Sequence, residues 1–285
     1  MASIHGVAGQ AKSATERTAS NPWLELLERA GYVVRGVLYV VMGGLALALA
    51  LGIGGTATDP TGTLVILTRF PAGKVFLVAV VIGLGAYAIW GFVRAIFDPL
   101  NRGHKAGGIM QRLGFAWSGI AYASIALFAM KLLVGSASAK SHDSLQANIA
   151  QVLSYPAGKW IALALGLITV GVGIAQFVEA YRAISKHDLK RAEMTEAERK
   201  VVDTLGRLGM IARGITFTLV GWFVIQGALH RDPSKVHGYG GAFLFLLGQP
   251  FGRLMLGVVA LGFIALGLHS FACARWVRLM GSTSS

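Results

Sequence analysis

The side chains with most chemistry to offer sit in three related stretches. Arg35 and Arg213 stand within apolar runs, RAGYVVRGVLY at 29–39 and RLGMIARGITF at 207–217. A third version, RLGFAWSGIAY at 112–122, carries Ser118 in their place. A guanidinium is a planar fork of N–H donors that meets phosphate or carboxylate oxygens two at a time. If the three positions face one axis, Arg35, Ser118 and Arg213 form a candidate anion or lipid-headgroup site. The structural alternative is that each arginine, about 6 Å along a helix beyond its glycine, extends its long side chain to the phosphates at the inner membrane boundary. Glu179 and His269 form a second candidate, an intramembrane polar site. Glu179 takes the place that Arg94 and Cys273 hold in the other copies and is suited to pairing with a neighbouring arginine. His269, in GLHSF, has an imidazole whose ordinary pKa of about 6.5 suits proton relay; a hydrogen-bonding packing role is the plainer reading.

Other chemistries are not written here. There is no paired-histidine zinc motif, G-x-S-x-G, P-loop or cysteine cluster. His142, His230 and His237 fall in linkers, where solvation is the ordinary state of a histidine. HGYGG at 237–241 has the look of a potassium-filter string, but a filter needs a ring of four such loops and the chain has one. The expectation is a protein that is not an enzyme and holds no metal or cofactor. The single cysteine, Cys273, excludes an intrachain disulfide and reads as a packing residue.

The elements that must position these groups follow from composition. Of 285 residues, 54% are hydrophobic and 14% charged, against roughly 25% charged in an ordinary soluble domain. Six runs lack any charge, at 36–58, 75–93, 113–130, 160–178, 214–230 and 254–274. A hydrocarbon core about 30 Å thick takes about 17–25 helical residues, so each run reads as a membrane span. Helix is favoured over strand because a backbone in lipid must satisfy its own hydrogen bonds, and the runs lack the alternation of a barrel. With the amino terminus inside, most of the 26 Lys and Arg residues fall in inner segments, placing both termini in the cytoplasm. The net charge of +13 then reflects topology and attraction to anionic lipid headgroups rather than nucleic acid. The polar first thirty residues lack the apolar core of a signal peptide, so the first span is expected to serve as an uncleaved anchor.

A second marker, FPAGK at 70–74, YPAGK at 155–159 and QPFGR at 249–253, advances in step with the Arg-x-Gly motifs at Gly31, Gly114 and Gly209. The chain is thus a tandem repeat: a polar tail (1–23), then copies at 24–100, 101–186 and 187–281, the last preceded by a charged cytoplasmic loop. Two spans per copy keep all copies parallel, and three hairpins close around an axis along the membrane normal. The fold class is all-α integral membrane, six transmembrane helices in a pseudo-threefold bundle. Short apolar stretches before each marker proline read as helices lying in the outer interface. Thr195 and Glu198 form a capping box and Asn21–Pro22 a helix start; the segment 182–207 reads as a flexible loop. Small residues four apart, Gly114 with Ser118, Gly119 with Ala123 and Gly171 with Ala175, are expected to allow close helix contact.

The Arg-x-Gly motifs, the Arg-Gly pairs at 35–36 and 213–214 and the Pro-x-Gly-basic markers resemble the bacterial membrane proteins grouped as domain-of-unknown-function family 1206. The resemblance covers about residues 24–280, with Ser118 as the departure in the middle copy. It implies three tandem two-helix units in a bacterial inner membrane and no particular activity. The function expected is lipid-facing or scaffolding, with membrane lipids as partners. The alternative is a small channel or carrier with a cytoplasm-facing vestibule on the repeat axis.

Overall fold

The computed structural model describes residues 22–97, 106–136, 144–182 and 193–276. Six long helices, α1 (Pro22–Leu51), α3 (Gly73–Phe97), α4 (Ala106–Leu133), α6 (Gly158–Arg182), α7 (Glu196–His230) and α9 (Gly252–Trp276), are long and apolar enough to cross a membrane. Between the two spans of each copy lies a short helix: α2 (Pro60–Leu67), α5 (Ser144–Leu153) and α8 (Tyr239–Leu247). The hairpin expected three times is present three times.

The marker turns share one bond. Phe70, Tyr155 and Gln249, each just before the proline, accept from the amides of Gly73, Gly158 and Gly252 at 2.8, 2.9 and 2.8 Å. Proline second and glycine fourth is the favoured pattern for such a turn. Close approach explains the glycine: a Cβ at Gly158 or Gly252 would collide with the carbonyl oxygen of Val152 or Leu247, at the end of the preceding short helix.

Packing runs mainly between copies. The descending helix of each copy lies along the ascending helix of the next, α3 on α4 and α6 on α7, and α9 returns to α1 to close the ring. The same residues make each seam. A side chain at Gly119, Gly214 or Gly36 would run into the ring of Phe92, Phe177 or Phe271 respectively. This gives the Arg-Gly pair its logic: the glycine admits the neighbouring copy, and the preceding residue, rotated by roughly 100°, turns toward the axis. Within copies the pattern is uneven. α1 packs on α3 and α7 on α9, whereas α4 and α6 make only incidental contact.

The short helices exist where expected, each burying an apolar side chain in the bundle. Leu64 of α2, Ile149 of α5 and Phe243 of α8 are buried in the bundle. The segments around these helices also approach one another, Ala57 against Gly240 and Leu145 against Gly238. Together they cap one end, because an apolar side chain of two or three turns gains more from this core than from the wet headgroup zone. The opposite end is closed by Tyr32, Met194, Val202, Cys273 and Ala274.

Two expectations change. The capping box is present, with Thr195 N donating to Glu198 Oε2 at 2.8 Å and Glu198 N to Thr195 Oγ1 at 3.3 Å. It starts a helix of 35 residues, about 52 Å long, so residues 196–207 are helix continuous with a span rather than loop; Asn21 and 183–192 lie outside the described residues. Of the small-residue pairs, Gly119 packs as expected, but Gly114 and Gly171 face open space.

Candidate functional site

Position 35 in α1 and position 213 in α7 are equivalent in the repeat, and the ring brings their side chains within electrostatic range of each other. Arg35 does not reach for the headgroups. Its Cζ lies 5.4, 5.8, 5.7 and 5.7 Å from the ring centroids of Tyr32, Tyr39, Tyr87 and Tyr122, and its Nη1 donates to the Tyr87 hydroxyl at 3.1 Å. Tyr32 and Tyr87, and Tyr87 and Tyr122, meet edge to face. The cage draws on α1, α3 and α4, two of the three copies. It replaces headgroup contact because four π faces stabilise a desolvated cation by about 0.5–2 kcal/mol each without drawing the side chain out of the core.

Arg213 sits over Phe217, 5.3 Å from its centroid. It lies beside the Tyr239 hydroxyl at the start of α8 and within electrostatic range of Tyr39 and Tyr122. Tyr39 and Tyr122 hydroxyls are 3.3 Å apart and join the two halves. No described carboxylate pairs with either arginine, and the Nε of each is buried without a hydrogen-bond partner. Asp59, the acid nearest Tyr239, is engaged in capping α2, where its Oδ1 accepts from Gly62 N and Thr61 Oγ1 at 2.6 and 2.8 Å. The site therefore carries two positive charges, a set of hydroxyls able to donate, and no matching anion. Both arginines nonetheless keep some accessible surface.

Ser118 is half-buried on α4, one turn before Tyr122. It holds the third equivalent position at the same height, and its short side chain leaves that sector of the axis without a cation. The aromatic residue four positions on, Tyr39, Tyr122 or Phe217, recurs in all three copies. That recurrence was the signal for the cage, and reasoning from charge alone misses it.

The second candidate pair divides. His269 is buried on α9, its Nδ1 donating to the Val202 carbonyl at 3.1 Å and its Nε2 3.4 Å from Cys273 Sγ. A carbonyl can only accept, so Nδ1 carries the proton and both ring nitrogens are occupied, as in a packing histidine. It lies within electrostatic range of Arg35 on the side of the closed end. Glu179 is half-buried near the end of α6, equivalent to Arg94 and Cys273 as expected; it is not among the groups that dominate the field at Arg213. Arg94 itself is buried against Trp90 and Phe115. Among the described residues no three His, Cys, Asp or Glu side chains gather as metal ligands. His230 bonds the Gln226 carbonyl, His237 meets Phe223 edge-on, and His142 lies outside the described residues.

No solved structure matches the chain. It is 33% identical over 251 residues to the uncharacterised protein YxxB of Bacillus subtilis (strain 168), covering 88% of this chain and 90% of that one. The family described as Domain of Unknown Function, DUF1206, matches three times, at 30–98, 113–183 and 208–277, once for each pair of spans. By those matches, and by the threefold seam and marker turns that coincide with them, the chain belongs to the DUF1206 family.

Proposed function

We propose that this protein is a non-enzymatic, multi-pass protein of the bacterial inner membrane, with both termini cytoplasmic, that binds an anionic headgroup at Arg35 and Arg213. One observation carries the reading: two guanidiniums share an aromatic centre in which, among the described residues, no carboxylate pairs with them. An arginine within a span carries an insertion cost, and such residues mark functional sites by default. A phosphate supplies the missing charge and accepts from several N–H and O–H donors at once. Apolar packing at both ends of the bundle favours a binding role over a conduit. The test is native mass spectrometry of the detergent-solubilised protein. The wild type is expected to retain a phospholipid adduct that the Arg35→Gln/Arg213→Gln double variant loses; equal retention by both would refute the assignment.

A further inference from the structure

The middle copy departs from its sisters in a second way. In copy one, α1 and α3 cross where Val34 meets Gly83; in copy three, α7 and α9 cross where Ala212 meets Gly262. Each crossing pairs a glycine with a small or β-branched residue, which lets two backbones approach closely. The equivalent positions in copy two are Trp117 on α4 and Ile168 on α6, both exposed. Two large side chains at the crossing hold the helices apart. The consequence is visible one turn away. Gly31 packs on Gly83 and Tyr87, and Gly209 on Leu266, but Gly114 has nothing within 4 Å, nor has Gly171 on the opposite helix.

Chain connections agree with this division. α2 packs on α4, whereas α5 leaves α4 to pack on α6 and the linker turn Pro233–Lys235. α4 therefore belongs to the first copy's side and α6 to the third's, and the gap between them opens to the bilayer. Its walls are apolar at the crossing, where Trp117 of α4 and Ile168 of α6 are both exposed. At the height of the arginines its α4 wall carries Ser118, and one turn on comes Tyr122, whose ring stacks on Arg35 and whose hydroxyl touches that of Tyr39.

We propose that the gap between α4 and α6 is a lateral portal through which a phospholipid seats its phosphate between Arg35 and Arg213, its acyl chains lying against Trp117 and Ile168. This rests on the anion-binding reading and adds the source and the route. The occupant is a lipid rather than a free anion because the sector without an arginine is the one where the flanking helices leave apolar side chains exposed, while apolar clusters pack at both ends of the bundle. Head and tails then match what each part of the path presents: guanidinium and hydroxyl donors at its depth, bare carbon at its mouth.

The experiment closes the portal without touching the cage. Trp117→Ala/Ile168→Gly recreates the crossing found in copy three. Closure is followed in a Cys273→Ser background by disulfide formation between Gly114→Cys and Val172→Cys, the positions equivalent to the Gly31–Tyr87 contact. Binding of phosphatidylglycerol in mixed micelles, and of inorganic phosphate in parallel, is measured on the full chain. We expect cross-linking only in the closed variant, with phosphatidylglycerol affinity down by about tenfold or more. Cross-linking with unchanged lipid affinity would overturn the portal and leave the anion site standing, as would efficient cross-linking in the open protein. Phosphate binding without phosphatidylglycerol binding would assign the arginines to a soluble anion and overturn the lipid route. Lipid binding that survives Arg35→Gln/Arg213→Gln would overturn the anion site itself.

Discussion

Replacing Arg35 by methionine separates a ligand-binding arginine from a structural one by size of effect. A buried arginine held by a carboxylate leaves that carboxylate stranded when removed, at about 3–5 kcal/mol. Arg35 has no such partner. Its removal relieves part of the cost of holding a cation within a span. It forfeits cation–π attraction to Tyr32, Tyr39, Tyr87 and Tyr122, a few kcal/mol at about 0.5–2 each. The bond to Tyr87 adds about 1.5–3 kcal/mol to the loss, and methionine recovers part of it by filling the same channel of rings, sulfur being well disposed toward aromatic edges. The losses outweigh the relief by a few kcal/mol, so Arg35→Met should be less stable than wild type in detergent when no lipid is added, and the deciding quantity is the response to lipid. With phosphatidylglycerol at a hundred times its dissociation constant the wild type gains about 2.7 kcal/mol by mass action, and the variant should gain almost none. The assay is thermal or denaturant unfolding in lipid-free and lipid-doped micelles. A lipid-induced gain that survives the substitution would refute the reasoning.

Gly158→Ala should destabilise the chain by about 1–3 kcal/mol, the range of an overpacked site, since its Cβ would strike the Val152 carbonyl. Gly171→Ala, in open space on the same helix, should instead be neutral or stabilising by up to about 1 kcal/mol through helix propensity; the pair is read by unfolding, and equal effects would contradict the packing. Orientation is checked in a Cys273→Ser background with a membrane-impermeant thiol reagent applied to intact cells. Lys235→Cys, in the linker at the capped end, should label, and Glu196→Cys, at the start of α7, should not; the reverse would invert the topology.

How far the sequence reaches depends on whether a feature is local. Spans, markers and the repeat are local: an uncharged run of the right length, a Pro-x-Gly turn and a capping box each state their own conformation. The seam was half legible. Gly36, Gly119 and Gly214 advertise close contact, but that they receive Phe271, Phe92 and Phe177 from the preceding copy around the ring depends on closure, which no single copy encodes. The direction of Arg35 was not legible from its distance to the membrane boundary, because snorkelling and caging start from the same Cα position. What decides between them is Tyr87 and Tyr122, brought from α3 and α4.

Repetition supplies the frame here and its breakage supplies the chemistry. Three identical copies would put three arginines around the axis and bring three hairpins to close contact, a site too positive and too sealed to admit anything from the bilayer. The middle copy changes both terms at adjacent residues: Ser118 removes the third guanidinium, and Trp117, one position earlier, holds α4 off α6. The seam glycine, Gly119, is kept, so the ring still closes through α3 and α4 while the hairpin behind it does not. Two substitutions beside one retained glycine thus turn a packed threefold centre into an asymmetric one, with its charge on two sides and its opening on the third.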